Sequence, residues 1–155
     1  MPRDHLLRPF RPRRARVVAV VGALLITGGY AALVTTVRPH PNYGGWDRIG
    51  VAFFIAAGLY FLYRQFQVRA RPDESGLVIR NLFRTHQVQW AQIISVRFGS
   101  GRPWARLDIS DGSTIPVMAI QAADGLYGHV EAERLADLVE YYGIDDVPWP
   151  SRATR

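Results

Sequence analysis

Residues 73–98 read DESGLVIRNLFRTHQVQWAQIISVRF, and the fold predicted for this chain rests mainly on them. Apolar and polar residues alternate through SGLVIRNL and THQVQW and again in QIISVRF, and a period of two predicts β-strands. The polar residues and glycine at 73–76 predict a turn into the first of these segments. This region is therefore predicted to be an antiparallel sheet.

The same period continues on both sides of this region. QVRARPD precedes it, and WARLDIS and STIPVM follow it at residues 104–110 and 113–118. Asp111 and Gly112 lie between the last two segments, and an Asp-Gly pair is a strong hairpin signal. Short strands with turn signals about every 8–12 residues predict a sandwich or barrel.

A helix is predicted after the last strand, in GHVEAERLADLVEYYGI at residues 128–144. Glu131 and Glu133 are two residues apart, do not face each other on a helix, and are interpreted as solvated surface. The expected inward face consists of Val130, Leu135, Leu138, Val139 and Tyr142. The expected fold class is therefore α+β, with antiparallel strands closed by one C-terminal helix.

Residues 17–37 contain no charged side chain over 21 positions. As a helix such a segment spans about 30 Å, the thickness of the hydrocarbon core of a bilayer. A secretory signal has a shorter apolar region of about 7–15 residues that ends at a small-residue cleavage site, and no such site follows here. We interpret residues 17–37 as an uncleaved first transmembrane helix.

A second apolar segment at residues 48–66 is predicted to be a second transmembrane helix, after a short external loop at 38–47. Trp46 and Tyr63 fit the aromatic belts at membrane interfaces. The alternative, a buried helical hairpin in a soluble protein, would require a larger core than 155 residues can supply. The small residues of GGYAA at 28–32 are expected to let these helices pack closely or to support a homodimer.

Arginine is distributed asymmetrically around the two helices. Six arginines lie in the basic tail at residues 1–16, and three lie at or after the end of the second helix, Arg64, Arg69 and Arg71. Only two, Arg38 and Arg48, lie in the loop or at its edge. The positive-inside rule then places both termini in the cytoplasm. The predicted protein is a multi-pass protein of the plasma membrane, with a cytoplasmic domain at 67–145 and a C-terminal tail at 146–155.

Composition excludes several classes of chemistry. The chain has no cysteine and no lysine, so disulfides, thiolate metal sites and lysine catalysis are excluded. Its histidines, His5, His40, His86 and His129, have no metal-binding spacing, and no nucleophile–base motif is present. We expect no catalytic site, metal or cofactor. Nucleic acid is not an expected partner, because the basic excess lies beside the apolar segments, whereas residues 72–155 have a net charge of −3.

Residues 67–143 resemble a bacterial pleckstrin-homology (PH) family that is common in actinobacteria and includes a mycobacterial low-molecular-weight antigen. The resemblance lies in a Gly-Leu pair that opens a strand, a Trp followed by an Ile, an Asp-Gly hairpin and a later Pro. The matching residues are Gly76, Leu77, Trp90, Ile93, Asp111, Gly112 and Pro116. The resemblance implies a PH-like sandwich or barrel with one capping helix, a membrane setting and no established activity.

Four arginines are candidate binding residues because they fall on or near the first predicted hairpin: Arg69, Arg71, Arg80 and Arg84. In eukaryotic PH domains that region binds phosphoinositide headgroups. The simpler alternative is that these side chains only contact anionic lipid at the membrane surface. Two functions stay open: a domain that docks an unknown membrane or cytoplasmic protein or self-associates beneath the bilayer, and a sensor of anionic lipid headgroups.

Overall fold

The computed structural model describes residues 7–36, 44–99 and 101–145. The chain divides into two compact units, a helical unit at 13–67 and a sheet unit formed by residues 1–12 together with 68–155. Most of the predicted external loop, the tail at 146–155 and the first six residues of the basic tail lie outside the described residues.

The helical unit contains α1, Arg13–Thr36, and α2, Gly45–Phe66. Both are long and apolar enough to cross a membrane, and α2 has no buried residue. The two helices approach closely where a Cβ on Gly22 would lie 3.2 Å from Leu62 and one on Gly58 would lie 3.4 Å from Ile26. Gly28 and Gly29 have no such neighbour within 4 Å, so these two glycines of GGYAA are not at the close contact between the helices.

The sheet unit confirms the predicted α+β class. Its first antiparallel sheet has the order β1–β2–β3 and its second the order β4–β5–β6, and helix α3 follows at Leu126–Asp145. The strand bounds are Arg69–Pro72 for β1, Gly76–Arg80 for β2, Thr85–Gln89 for β3, Ile93–Arg97 for β4, Trp104–Ile109 for β5 and Thr114–Gln121 for β6.

One apolar core joins the two sheets and α3. The alternation predicted from the sequence places Leu77 and Ile79 of β2 inside, together with Leu107 of β5. Trp90, in a short turn of 3₁₀ helix after β3, is 1% exposed and stacks on Tyr142 with ring centroids 5.6 Å apart. The helix therefore closes the sheets through an aromatic contact as well as through its leucines.

The segment before α1 also belongs to this core, which the sequence did not indicate. Phe10 is fully buried, and its N–H and C=O exchange hydrogen bonds of 2.8 and 3.1 Å with Ala70 of β1. Pro12 is buried as well. Part of the predicted basic tail is thus a short addition to the edge of the first sheet.

Two expectations for α3 were wrong. Val130 is 50% exposed and does not face the core, whereas Glu131 is 4% exposed and is not solvated surface. The buried face consists of Ala132, Leu135 and Leu138, whose spacing of three residues lies on one side of a helix. Glu131 lies beside this face, where Arg134 neutralises its charge.

Candidate functional site

Three of the four candidate arginines, Arg69, Arg80 and Arg84, lie at one end of the first hairpin, and Arg71 lies further along β1 toward the turn at 73–75. Arg69 and Arg80 are register partners, and Arg71 is opposite Val78. Because Ala70 and Ile79 point into the core, Arg69, Arg71 and Arg80 lie on the outer face of the sheet. Arg84 is exposed at the end of the turn that joins β2 to β3. We call these four residues the arginine face.

The turn of the first hairpin lies at the opposite end of the strands from Arg69 and Arg80. It is held by Asp73, whose carboxylate accepts hydrogen bonds from the hydroxyl and N–H of Ser75 and from the N–H of Gly76, at 2.6, 2.9 and 2.9 Å. These bonds, that of the Ser75 hydroxyl above all, lower the pKa of Asp73 below its ordinary value of 3.8. This turn therefore contains a stable negative charge and is not a basic headgroup site.

The turn between β2 and β3, residues 81–84, is hydrogen-bonded to a strand of the second sheet. The buried Asn81 donates from Nδ2 to the carbonyl oxygen of Pro116 at 2.7 Å, and its Oδ1 accepts from the N–H of Met118 at 3.1 Å. The N–H of Asn81 also donates to the carbonyl oxygen of Arg84 at 2.9 Å. Asn81 thus fixes the base of the turn to β6 of the other sheet.

An exposed aromatic side chain lies at the centre of this turn. Phe83 is 77% exposed, whereas its neighbour Leu82 is 8% exposed. Sequence reasoning selected Arg80 and Arg84 on either side but missed Phe83. The signal that could have found it is the composition of the turn, because turns favour Gly, Pro, Asn, Asp and Ser rather than a Leu-Phe pair.

An ionic cluster in which Glu131 is buried and Arg8 is largely exposed ties the N-terminal segment to α3. Glu131 accepts from Arg134 at 2.6 Å and from Arg8 at 3.4 Å, and Arg134 also donates to the carbonyl oxygen of Arg8 at 2.9 Å. The guanidinium of Arg134 lies 3.7 Å from the ring centroid of Phe10. Each partner of Glu131 satisfies the carboxylate directly, so this cluster is structural.

A second polar cluster lies on the outer surface of the second sheet. Asp108 accepts hydrogen bonds from Arg97, from the Ser95 hydroxyl at 2.6 Å and from the Thr114 hydroxyl at 3.3 Å. The bond from Arg97 is the largest cause of a lowered pKa for Asp108. A carboxyl group that stays ionised in this way is poorly suited to move protons near neutral pH.

A depression on the first sheet lies outside the arginine face. Within residues 7–36, 44–99 and 101–145, no group of three His, Asp or Glu side chains could hold a metal ion. An open depression of about 460 Å³ lies over β2 and β3, and Asp73, Gln87 and Gln89 are among the residues that line it. The four arginines are not in its lining, so the depression and the arginine face are separate.

Comparison with known proteins gives the family of the sheet unit. The bacterial PH domain family matches residues 67–136. Uncharacterized proteins of Mycobacterium bovis and Mycobacterium tuberculosis are 36% identical over 108 residues, which is 70% of this chain and 65% of theirs. The match thus spans a little less than two thirds of these relatives, and no solved structure matches the chain. The segment at 67–136, which contains both antiparallel three-stranded sheets and the first part of α3, thus matches the bacterial PH domain family, and the relatives named above are mycobacterial.

Proposed function

We propose that this chain is an integral membrane protein that presents its PH domain at the cytoplasmic face as a non-catalytic module for protein interaction or assembly. The apolar surface of α1 and α2 supports membrane insertion. Leu24, Leu25, Phe53 and Phe54 are each between 68% and 77% exposed. A continuous apolar surface of this size is unfavourable in water and is typical of a segment that contacts lipid or another protein.

The observation that carries the proposal is the pairing of Phe10 with Ala70. The chain passes from the sheet unit at Pro12 into α1 at Arg13, and returns from α2 at Phe66 to the sheet unit at Val68. One folded domain thus contains the residues on both sides of the helix pair. A pair of spans that starts and ends in one domain must cross the membrane an even number of times, which supports a hairpin.

The side of the membrane follows from charge. Nine arginines lie at or beyond the outer ends of the two predicted spans, whereas two, Arg38 and Arg48, lie in the loop between them or at its edge, so the positive-inside rule favours a cytoplasmic PH domain. A reporter that is active only in the cytoplasm, fused after Arg155, is expected to be active. Activity there of a reporter that works only outside the cytoplasm would refute the orientation.

An interaction role fits the chemistry of the surface. The carboxyl groups of Asp73, Asp108 and Asp111 all have lowered pKa values and are held ionised by hydrogen bonds, whereas a general acid or base works best with a pKa near the working pH. The proposed partner is a membrane or cytoplasmic protein or a second copy of this chain. Crosslinking in the native membrane followed by purification tests this, and recovery of the chain alone and monomeric would count against it.

A second candidate function is the recognition of anionic lipid headgroups, favoured by the common outer face of Arg69, Arg71 and Arg80. The net charge of −3 on residues 72–155 opposes free adsorption to an anionic bilayer. For the sheet unit without its helices, we expect weak binding to liposomes that is indifferent to the headgroup and lost as salt is raised. Tight, headgroup-selective flotation at physiological salt would instead favour the lipid sensor.

A further inference from the structure

The turn at residues 81–84 exposes an apolar side chain that the core does not use. Phe83 is 77% exposed, whereas Phe10 and Trp90, two other large aromatic residues of the same domain, are 0% and 1% exposed. Single exposed aromatic side chains are common on protein surfaces, so exposure alone does not indicate a binding site. The anchored turn and the neighbouring arginines are the additional evidence that Phe83 belongs to a binding surface.

The turn is held in a fixed position. The two side-chain hydrogen bonds of Asn81 to Pro116 and Met118 fasten its base to the second sheet. Leu82, the other central residue of the turn, is buried. The backbone of the turn that presents Phe83 is therefore anchored to the second sheet.

Arginines flank the exposed ring along the chain. Arg84 follows it directly, and Arg80 lies just before the turn with Arg69 opposite it on β1. An aromatic ring beside arginines is the composition of segments that lie in the interfacial layer of a bilayer. The arginines attract anionic headgroups, and the ring exchanges its contacts with water for contacts with lipid.

The turn at 81–84 lies at the end of the first sheet where β1 begins. Only Gln67 and Val68 separate Phe66, the last residue of α2, from Arg69. Fully extended, the three peptide units from Phe66 to Arg69 cover at most about 11 Å. Arg69 is the register partner of Arg80, so the turn at 81–84 belongs to the tethered end of the sheet.

We propose that Phe83, together with Arg80 and Arg84, contacts the interfacial layer of the anionic bilayer and fixes the orientation of the PH domain beneath it. This inference rests on the proposed membrane insertion of α1 and α2. In this proposal the arginines contact anionic lipid without selecting a particular headgroup. The helices keep the protein in the membrane, and the turn determines which surfaces of the domain face a partner.

The absence of cysteine allows a direct test with single spin labels in the full-length chain. The nitroxide label on Phe83→Cys is itself an apolar ring that takes the place of the phenyl group, and it reports on the turn. Glu74→Cys is the matched control at the opposite, exposed end of the first hairpin. Leu24→Cys, at an exposed position of α1, reports on insertion of the helices. Each labelled protein is placed in vesicles with and without anionic lipid, and collisions with a water-soluble and a lipid-soluble relaxation agent are measured.

We expect the label at 83 to be shielded from the aqueous agent in anionic vesicles and the label at 74 to be accessible. Arg80→Gln and Arg84→Gln should each lower about fivefold the ratio of molecules whose turn contacts the membrane to molecules whose turn does not, because each arginine contributes about 1 kcal/mol near an anionic surface. Equal accessibility at 83 and 74, with the label at 24 in the hydrocarbon, would overturn this inference and leave the proposed function intact. An aqueous environment at 24 would overturn both.

Two further results would also count against the inference. Shielding at 83 that is the same in neutral vesicles and in the arginine variants would show that the arginines contribute nothing. Shielding that occurs only in native membranes, and not in vesicles of pure lipid, would assign the turn to a protein partner instead. Unchanged near-ultraviolet circular dichroism of Phe83→Cys checks that the sheet unit is intact.

Discussion

Trp90 connects the turn of the first hairpin to helix α3. Its ring stacks on Tyr142 of α3, and its Nε1 donates a hydrogen bond of 2.8 Å to the carbonyl oxygen of Asp73 in the first turn. Trp90→Ala removes the ring and leaves a cavity between the helix and the sheets. We expect a loss of about 3–5 kcal/mol in the free energy of unfolding.

Chemical denaturation of the full chain in detergent, followed by near-ultraviolet circular dichroism, measures this loss. Trp46→Ala is the matched control, because Trp46 is 86% exposed in α2 and is not part of the sheet unit. Trp90→Phe keeps an aromatic ring and should lose less, about 1 kcal/mol from the hydrogen bond together with a smaller packing term. If Trp90→Ala unfolds at the same denaturant concentration as the unchanged chain, the ring does not support the core.

At the scale of single elements, the first turn should be sensitive to acid. The pKa of Asp73 is lower in the folded chain than its ordinary value of 3.8, because Ser75 and Gly76 donate to the ionised carboxylate. Its stabilising contribution is therefore complete above that ordinary value and is lost as the pH falls through the lowered folded pKa. We expect Asp73→Asn to destabilise the domain at neutral pH and to approach the unchanged chain in strong acid.

Denaturation measured at neutral pH and below pH 3.8 tests this expectation. Ser75→Ala should weaken the same acid-dependent component, since the Ser75 hydroxyl is the largest cause of the shift. Glu74→Gln removes one charge from the same turn without removing the bonds to Asp73, and it serves as the control. A difference between Asp73→Asn and the unchanged chain that is constant with pH would contradict the role of the ionised carboxylate.

The strands could be predicted because their signals are local. Side chains alternate between two faces, so Leu77 and Ile79 indicate the core side without knowledge of any partner strand. Gly76, part of the family resemblance, has a structural reason: a Cβ there would lie 2.2 Å from the carbonyl oxygen of Val88 on the neighbouring strand. The Asp111-Gly112 hairpin signal is equally local, since Gly112 has a φ of +84°.

The missed features depend on contacts between distant parts of the chain. Phe10 is one paired residue among prolines and arginines, so it has no period to recognise. Glu131 looks like a solvated helical charge until Arg8, 123 residues away, is brought beside it. At the candidate site, alternation placed three arginines on one face, but the presentation of Phe83 depends on bonds from Asn81 to residues 35 and 37 positions away.

At the scale of the whole molecule, the two chain segments that enter and leave the helical unit complete one domain. The hydrogen bonds between Phe10 and Ala70, and the ionic cluster of Arg8, Glu131 and Arg134, hold the first segment in place. A fragment that begins at Val68 lacks this segment and its fully buried Phe10. Such a fragment should keep its strands and α3 but lose core packing along β1.

A chimera in which a short linker replaces residues 13–67 tests this dependence. Antiparallel partners lie about 5 Å apart, and Pro12 and Val68 are each two residues from the Phe10–Ala70 pair, so about four glycine and serine residues can join them. We expect the chimera of residues 7–12, linker and 68–145 to fold without a membrane. It should exceed the fragment 68–145 by up to about 3–5 kcal/mol in the free energy of unfolding, the range for removing a buried Phe.

Phe10→Ala in the chimera is the matched control and should return it to the stability of the fragment. A fragment as stable as the chimera would show that residues 7–12 add nothing to the PH domain and would weaken the argument that one domain flanks both helices. A chimera that gains stability would support it, because the domain would then need the chain segments on both sides of the helices.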